Sequence, residues 1–348
     1  MSTNKKVSIG IIGAGGIAKH HVWGYQKHQQ AEVAAVCDVA KDRAQAFATE
    51  LKIPRVFTDY KKMLSQCELD AVSICTPNCF HGPMAVAALN AKCHVLVEKP
   101  LAHTLADGKK MVQASKKNRR FLMVAFNNRF REDTKVLKKA IDQGALGDIY
   151  YAKTAWLRRV GIPAWGKWFC TKSQSGGGPL IDIGVHFLDL TLYLMGFPEP
   201  KSVSASAYAK FGPRGLGFWG NPIKIDVEDL GVGLVKFKNG ATLFLECSWA
   251  LNMEKNDESY VKLFGTEGGA ILEPPTIFSN KDNQLMDTKL HYSTSTAITS
   301  YDKETRHFVD CIISNKTPIA TGEQGLVSLK ILDAMYRSSK TGKEVMIK

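Results

Sequence analysis

The chain has 348 residues, of which 45% are hydrophobic and 23% are charged, and this composition excludes an intrinsically disordered protein. Its length accommodates two domains. The sequence has no apolar run long enough to cross a bilayer and no apolar segment ahead of the first predicted strand, so we expect a cytoplasmic protein without a membrane partner. The eight cysteines lie mostly within apolar runs, which favours reduced thiols over disulfides or a zinc site.

The net charge of +13 attracts anions in general, but the basic residues do not form a long tract. Short basic clusters occur at 116–120 and 138–139. The first cluster falls near the end of a predicted helix, where cations interact favourably with the helix dipole. We therefore expect no nucleic-acid partner.

The first third of the chain, residues 6–125, alternates apolar, β-branched segments with longer helical patterns. The predicted strands are 6–12, 32–37, 71–75, 94–97 and 121–125, and the predicted helices are 18–28, 42–51, 83–90 and 105–118. This alternation predicts an α/β fold in which helices flank a doubly wound parallel sheet.

The first predicted strand ends in a Gly-x-Gly-x-x-Ala pattern formed by Gly13, Gly15 and Ala18, where the first predicted helix begins. In a dinucleotide-binding fold, the first glycine makes the tight turn and the second lets the backbone approach the pyrophosphate. The small third residue allows close helix packing, and the helix N-terminus receives the negative charge of the phosphates. The predicted cofactor site also includes Gly16 and Ile17.

Asp38 ends the second predicted strand, twenty residues after Ala18. A carboxylate at this position accepts hydrogen bonds from ribose hydroxyls and repels a ribose 2′-phosphate. The sequence therefore favours NAD as the cofactor. Lys41 and Arg43 follow closely and are able to accommodate a phosphate, so NADP is the open alternative.

Two further polar segments follow predicted strands, at the carboxyl edge of the sheet where ligands bind in α/β folds. Thr76, Asn78 and His81 come after the third strand, and Glu98 and Lys99 come after the fourth. Lys99 precedes a proline, which restricts its backbone conformation. Taken alone, a solvated lysine paired with Glu98 is the simpler interpretation.

From about residue 130 the pattern becomes α+β. A helix is predicted to end at 143, and the dipeptide Asn239-Gly240 between two alternating segments predicts an antiparallel hairpin. The predicted strands of this part are 148–158, 202–210, 227–237, 241–249 and 260–264, and its later helices are 302–314 and 325–338.

The helix predicted over 180–195 is apolar apart from Asp182, His186 and Asp189, whose spacing places them on one stripe. Pro179 suits the first helical position, and a glycine run precedes it. An Asp and a His one turn apart can share a proton, orient one another or ligate a metal. A hydrogen-bonded core histidine is the structural alternative.

Taken together, these motifs resemble the glucose-fructose oxidoreductase and inositol dehydrogenase family of nicotinamide-dependent sugar dehydrogenases. The resemblance rests on the glycine pattern at 13–18, Thr76-Pro77-Asn78 with His81, Glu98-Lys99-Pro100, and Gly177-Gly178 followed by Asp182 and His186. It implies a Rossmann domain over 1–126 and an α+β domain over 127–348 with a large, open, mostly antiparallel sheet. It further implies an active site between the domains and a homodimer or homotetramer formed through that sheet.

The resemblance assigns catalysis to Lys99, Asp182 and His186. Because imidazole titrates near neutrality, His186 suits the base that takes the hydroxyl proton while hydride leaves the carbinol carbon for nicotinamide. Lys99 would stabilise negative charge on the reacting oxygen, and Asp182 would orient His186 or bind a neighbouring hydroxyl. No metal is expected, because the Lys99 ammonium at the same site would oppose a cation.

The remaining predicted contacts concern the cofactor and the substrate. Trp165 suits stacking on a sugar face and Arg158 suits hydroxyls or an anion, although such residues equally suit packing or an interface. The predicted cofactor contacts are Gly13, Gly15, Gly16, Ile17, Asp38, Thr76, Asn78, His81, Glu98 and Lys99. The predicted substrate contacts are Asn127, Arg158, Trp165, Asp182 and His186.

The leading interpretation is an NAD(P)-dependent oxidoreductase that acts on a secondary hydroxyl of a cyclic polyol or pyranose sugar, inositol-like or glucose-like. One alternative is a cofactor-binding regulator without catalytic activity, against which the joint presence of Lys99, Asp182 and His186 argues. A second alternative is an NAD-using glycosidase with transient sugar oxidation, which would release sugar without net formation of NADH.

Overall fold

The computed structural model describes residues 6–163, 166–212, 225–293 and 297–347. The chain divides into two compact units. The first consists of Met1–Phe130 with Thr296–Leu326, and the second of Arg131–Ser295 with Val327–Lys348. This division differs from a single boundary at residue 126, because the chain returns to the first unit late in the sequence.

The described part of the first unit contains a parallel sheet of six strands in the order β3-β2-β1-β4-β5-β6. The strands are β1 Val7–Ile12, β2 Ala31–Cys37, β3 Arg55–Phe57, β4 Ala71–Ile74, β5 His94–Val97 and β6 Leu122–Val124. This order is that of a Rossmann fold, with a topological switch point between β1 and β4. The predicted doubly wound parallel sheet is confirmed, and every residue of β1 and β4 is buried, as helices on both faces require.

Helices α1 to α5 and α9 belong to the first unit. They are α1 Gly16–Gln26, α2 Lys41–Leu51, α3 Tyr60–Gln66, α4 His81–Asn90, α5 Leu105–Asn118 and α9 Ser300–Ser314, with short 3₁₀ turns at Asn78–Phe80 and Asn127–Phe130. The sequence analysis missed β3 and α3, which are only three and seven residues long. Short elements carry too few residues for a periodic pattern.

Helix α9 explains why the chain returns to the first unit. It packs on α1, where a Cβ at Gly24 would lie 2.0 Å from the Thr305 hydroxyl oxygen. Lys27 of α1 forms an ion pair with Asp302 at 2.7 Å, and Thr299 and Asp302 form a capping box at the start of α9. The apolar and polar faces of α9 are therefore matched to α1, although the two helices lie far apart in sequence.

The described part of the second unit contains a sheet of nine strands in the order β14-β13-β12-β11-β7-β10-β9-β8-β15. Neighbouring strands are antiparallel except β7 and β10, so the predicted large and mostly antiparallel sheet is confirmed, as is the hairpin at Asn239-Gly240. The strands are β7 Ile149–Arg158, β8 Pro200–Tyr208, β9 Leu230–Phe237, β10 Thr242–Ser248, β11 Asp257–Gly265, β12 Gly269–Ile271, β13 Thr276–Lys281, β14 Gln284–Lys289 and β15 Val345–Met346.

The two faces of this sheet differ in burial. Along β10, Leu243 and Leu245 are fully buried, whereas Phe244 and Glu246 on the opposite face are partly exposed. Helices contact the sheet on the buried side, and one of their serines accepts a hydrogen bond from the backbone of β8. The helices of this unit are α6 Glu132–Asp142, α7 Lys172–Ser175, α8 Val185–Leu194 and most of α10 Gly322–Thr341.

The predicted helix over 180–195 is present but does not begin as an α-helix. Leu180–Gly184 forms a π turn, and α8 continues from Val185. Asp182 and His186 are partly exposed, whereas Asp189 is buried, as are most residues in the later part of the helix. Of the three residues predicted to share one stripe, only Asp182 and His186 are therefore partly exposed. Isolated π turns inside helices are often found at functional sites.

In the part of the chain that the structure describes, no helix is long and apolar enough to span a bilayer. All eight cysteines are free in the structure, and seven of them are buried.

Candidate active site

The turn after β1 is shaped by Gly13, which has a φ of +98°. A Cβ at this position would lie 2.4 Å from the carbonyl oxygen of Cys75, so only glycine fits. At Gly15 and Gly16, by contrast, a Cβ would meet no atom within 4 Å, and both residues are exposed. Ala18 is fully buried on the sheet side. The turn is therefore closely packed at Gly13 but leaves open space at Gly15 and Gly16.

The N-terminus of α1 faces this open space. Gly15 caps the helix without a side-chain hydrogen bond, and the described first turn carries no acidic residue, so its backbone N–H groups are available to an anion. Ile17 lies in this first turn and is half-buried. The arrangement fits the pyrophosphate of a dinucleotide.

Asp38 lies at the carboxyl end of β2, beside the glycine turn. Its carboxylate accepts hydrogen bonds from the backbone N–H groups of Ala14 and Ala40, each at 2.9 Å, and from the guanidinium of Arg43. Burial alone would raise the pKa of Asp38, but these hydrogen bonds hold the pKa below its usual value. The Arg43 guanidinium is therefore paired with Asp38, and it is not free to bind a ribose phosphate while this pair is formed.

His81 ties together the loops that follow β4 and β5. Its Nε2 lies 2.9 Å from the carbonyl oxygen of Thr76, and its Nδ1 lies 2.9 Å from that of Pro100. Burial lowers the pKa of His81, and the neutral ring has one N–H, which it can donate to either carbonyl. Because the side chain is fully buried, its role is to position the two loops, whereas the sequence analysis predicted direct cofactor contact. Asn78 is also buried, and Thr76 is half-buried.

Glu98 is a buried carboxylate beneath the loop that carries Lys99. The backbone N–H of Lys99 donates to Glu98 Oε2 at 3.2 Å, and His21 Nε2 lies 3.0 Å from Glu98 Oε1. On its other side, His21 Nδ1 lies 3.2 Å from the hydroxyl of Ser73, which is 2.6 Å from the Tyr25 hydroxyl. The sequence analysis weighed a simple pairing of Glu98 with the Lys99 ammonium; the structure shows Glu98 in contact with a buried histidine, which that interpretation did not include.

Asn127 belongs to the first unit, although the sequence analysis assigned it to the substrate domain. It lies in the 3₁₀ turn after β6 and is buried, with its amide donating to the Ser300 hydroxyl at 3.3 Å. The observed contact links this turn to α9.

In the second unit, Asp182 and His186 lie on consecutive turns of the same helix. Trp249, which is fully buried, donates its indole N–H to Asp182 Oδ2 at 3.0 Å. The ring of Trp156 lies 6.2 Å from that of His186. Both candidate catalytic side chains are thus partly exposed, and each has a tryptophan beside it: Trp249 next to Asp182 and Trp156 next to His186.

The predicted substrate residue Arg158 lies next to this pair on β7. Its guanidinium stacks on Trp156 at 4.6 Å from the ring centroid, and its Nε lies 3.5 Å from Asp257 Oδ2. Trp156 donates its indole N–H to the same carboxylate at 3.2 Å. Arg158, Trp156 and Asp257 therefore form a polar and aromatic wall close to His186. Trp165 lies outside the described residues.

Several contacts of these candidate residues come from distant parts of the sequence. Glu98 and His21 are separated by 77 residues, and Asp182 and Trp249 by 67. Glu228, described further below, binds the glycine run from 50 residues away. No local pattern marks such partners, so sequence reasoning missed them. Among the described residues, no group of three or more His, Cys, Asp or Glu side chains is arranged to hold a metal ion.

Two family models match the chain along most of its length. The model described as an oxidoreductase family with an NAD-binding Rossmann fold matches residues 7–126, and the model described as the C-terminal alpha/beta domain of the oxidoreductase family matches residues 138–347. The chain belongs to this oxidoreductase family. It is the glucose-fructose oxidoreductase and inositol dehydrogenase family that the sequence motifs resemble, and the predicted cofactor NAD is confirmed.

Relatives within this family match the chain from end to end. A D-glucoside 3-dehydrogenase of Escherichia coli (strain K12) is 36% identical, over 99% of this chain and 98% of the relative. A myo-inositol 2-dehydrogenase of Thermotoga maritima is 25% identical, over 97% of this chain and 98% of the relative. A solved levoglucosan dehydrogenase in complex with NADH and L-sorbose shares the fold, with a TM-score of 0.89, 23% identity and 99% of each chain covered. The chain is accordingly an NAD-dependent oxidoreductase.

Proposed function

We propose that this oxidoreductase is a dehydrogenase of cyclic polyols or pyranose sugars, with a glucoside as its first candidate substrate. The observation that carries the proposal is the placement of Asp182 and His186, partly exposed on an otherwise buried helix and flanked by the wall of Trp156, Arg158 and Asp257. The full-length similarity to a D-glucoside 3-dehydrogenase supports the choice of sugar.

The proposed chemistry removes two hydrogens from a secondary alcohol. NAD, when bound, accepts the hydride from the carbinol carbon, and the hydroxyl proton passes to His186, leaving a ketone. The ammonium of Lys99 stabilises negative charge on the reacting oxygen as the proton leaves. Asp182, fixed by Trp249, orients His186 or accepts a hydrogen bond from a neighbouring sugar hydroxyl. In the reverse direction His186 acts as the acid.

The wall beside His186 supports a substrate with several hydroxyl groups. Arg158 offers guanidinium N–H donors, Asp257 offers carboxylate acceptors, and Trp156 offers an aromatic face on which the C–H side of a sugar ring can stack. A polyol can exchange hydrogen bonds with such a mixed set of donors and acceptors, whereas an apolar alcohol that covered the wall would displace water without replacing its hydrogen bonds.

The test is to incubate the purified protein with NAD, and in parallel with NADP, and to follow NADH or NADPH absorbance over a panel of inositols, aldoses and glucosides. We expect NADH formation with a glucoside or another pyranose, and NMR of the product identifies the oxidised carbon. Release of free sugar without net NADH would indicate the glycosidase alternative. Cofactor binding without any turnover would indicate the regulator.

We also propose that the open face of the nine-stranded sheet joins copies of this chain into a homodimer or homotetramer. Val232, Leu234 and Phe244 are neighbours on this face and are only partly exposed, so a partner sheet would bury these apolar side chains together. Light scattering coupled to size-exclusion chromatography measures the mass, and a monomer at micromolar concentration would contradict this proposal.

A further inference from the structure

The helix that carries Asp182 and His186 begins against a buried glutamate from elsewhere in the chain. Glu228 Oε2 accepts a hydrogen bond from the backbone N–H of Gly178 at 2.9 Å, and Oε1 accepts one from that of Leu180 at 3.2 Å. The hydroxyl of Tyr336, on α10, donates to Oε1 at 2.8 Å. We call Glu228 and Tyr336 the carboxylate latch.

The latch replaces a cap that the local sequence does not provide. Pro179 occupies the cap position of the π turn without a side-chain hydrogen bond, yet the first N–H groups of a helix need acceptors when they are buried. A carboxylate at this end also interacts favourably with the positive end of the helix dipole. Glu228 meets both needs through its two oxygens.

The glycine run before the helix is shaped by the same two residues. A Cβ at Gly177 would lie 1.9 Å from the Tyr336 hydroxyl oxygen, and a Cβ at Gly178 would lie 2.0 Å from the carbonyl oxygen of Glu228. Neither position therefore has room for a side chain. The glycines are explained by close approach of the latch rather than by an unusual turn alone.

A closed circuit of contacts connects the latch to Asp182. The carbonyl oxygen of Gly178 accepts from the backbone N–H of Asp182 at 3.0 Å, and the side chain of Asp182 accepts from Trp249 at 3.0 Å. The backbone N–H of Trp249 in turn donates to the carbonyl of Asp229 at 2.9 Å, next to Glu228 in sequence. A shift of Glu228 consequently moves both the backbone and the side-chain partner of Asp182.

We propose that Glu228, held by Tyr336, is a positioning residue that sets the placement of Asp182 and His186 for proton transfer. The inference rests on the proposed function, in which these two residues act on the sugar. Because the latch and both residues lie in the second unit, the inference predicts an effect on turnover without an effect on NAD binding.

The test uses Glu228→Gln and the gentler Tyr336→Phe in the full chain. In Glu228→Gln one carboxylate oxygen becomes an NH₂ group, which is itself a donor. It cannot accept from the backbone N–H that it faces, so one of the two hydrogen bonds to the helix is lost. We expect kcat to fall about tenfold for Glu228→Gln and about threefold for Tyr336→Phe, with unchanged NAD dissociation constants. Deuterium exchange of segment 176–186 should be faster in Glu228→Gln.

The matched control is the second Tyr–Glu pair of the same unit, in which Tyr260 donates to Glu246 at 3.0 Å on the opposite face of the sheet. Tyr260→Phe removes the same hydroxyl but should leave kcat and exchange in 176–186 unchanged; because Tyr260 lies on the open face of the sheet, the comparison is made with samples of the same oligomeric mass as the wild type. Unchanged exchange in Glu228→Gln would overturn the latch, because its N–H partners would then not depend on Glu228. Faster exchange with wild-type kcat per folded molecule would overturn the positioning role.

Failure of the proposed function gives a different result. In that case the wild-type protein oxidises no sugar on the panel, whereas the exchange measurement still decides whether Glu228 holds the start of the helix.

Discussion

The two units of this oxidoreductase hold their candidate catalytic residues in different ways. In the first unit, Lys99 lies on a loop at the end of a parallel strand, above a carboxylate that is paired with the imidazole of His21. In the second unit, Asp182 and His186 lie on a helix whose start is held by a carboxylate that accepts only backbone and tyrosine donors. Both carboxylates are buried, but among the described residues only the first is paired with an imidazole, and the pKa of that histidine is raised.

This difference determines which group makes each support sensitive to pH. The donors to Glu228 keep their protons across the neutral range, and burial raises the pKa of Tyr336 further. The support beneath Lys99 instead depends on the protonation of His21. Burial raises the pKa of the Glu228 carboxyl itself, so the support in the second unit responds to pH through its own carboxyl, whereas the support in the first unit responds through a histidine partner.

The largest expected effect tests the chemistry of the second unit alone. His186→Ala removes the proposed base, so we expect kcat to fall by about 10²–10⁴-fold while the NAD dissociation constant stays nearly unchanged. Steady-state rates and a fluorescence titration with NADH measure the two quantities. His291→Ala, an exposed histidine of the same unit, is the control. Loss of NAD binding together with turnover would show that His186 is structural.

The next effect tests the support in the first unit. The pKa of His21 is raised: burial alone would lower it, but the neighbouring Cys75 and Glu98 outweigh burial. Removing one partner of a buried pair by His21→Gln should lower the free energy of unfolding by about 3 kcal/mol. Because the folded-state pKa is raised, this stabilisation is complete below the ordinary histidine pKa of about 6.5 and is lost as the pH rises through the folded-state pKa.

Chemical denaturation over a series of pH values measures this difference. The control is Lys19→Gln, which disturbs an exposed ion pair with Glu50 in the same unit and should change stability by no more than about 1 kcal/mol at every pH. A difference between wild type and His21→Gln that grows with pH would contradict the assignment of a charged His21–Glu98 pair.

The smallest expected effect concerns cofactor choice within the first unit. Asp38→Ala removes a ribose acceptor and releases Arg43, so we expect NAD binding to weaken and NADP binding to strengthen, each by about tenfold. Dissociation constants for both cofactors measure the change. In the double variant with Arg43→Ala the gain for NADP should disappear. If the gain persists, Arg43 is not the group that receives the phosphate.

The cofactor half of the fold could be predicted from the sequence because its signals are local. The turn at Gly13, the carboxylate of Asp38 and the alternation of short apolar strands with helices all lie within short windows, and the strand order follows from parallel crossover rules. Asp182 and His186 could be proposed from the sequence for a similar reason, since two polar residues on an apolar helix stand out within one or two turns.

The features of the fold and of the candidate site that could not be predicted depend on contacts between distant segments of the chain. The π turn at Leu180–Gly184 preserves the residue spacing, so the sequence pattern could not distinguish it from an α-helical turn. The burial of His81 follows from two backbone carbonyls on different loops, and the role of Glu228 follows from its contact with Tyr336, 108 residues away. Tertiary packing determines the burial and the partners of such residues, and a single sequence carries no signal of that packing.

The return of residues 297–326 to the first unit has a consequence for the exchange of gene segments. A single crossover near codon 126 would bring in a new parallel sheet with α1 but retain the original α9. The incoming helix would then face an unmatched partner at Gly24, where Thr305 leaves no room for a methyl group, and its lysine would have to match Asp302. A complete cofactor-binding unit is therefore inherited only when two crossovers bring in both of its segments. A change of cofactor preference by such exchange then also involves the late part of the gene that encodes residues 297–326.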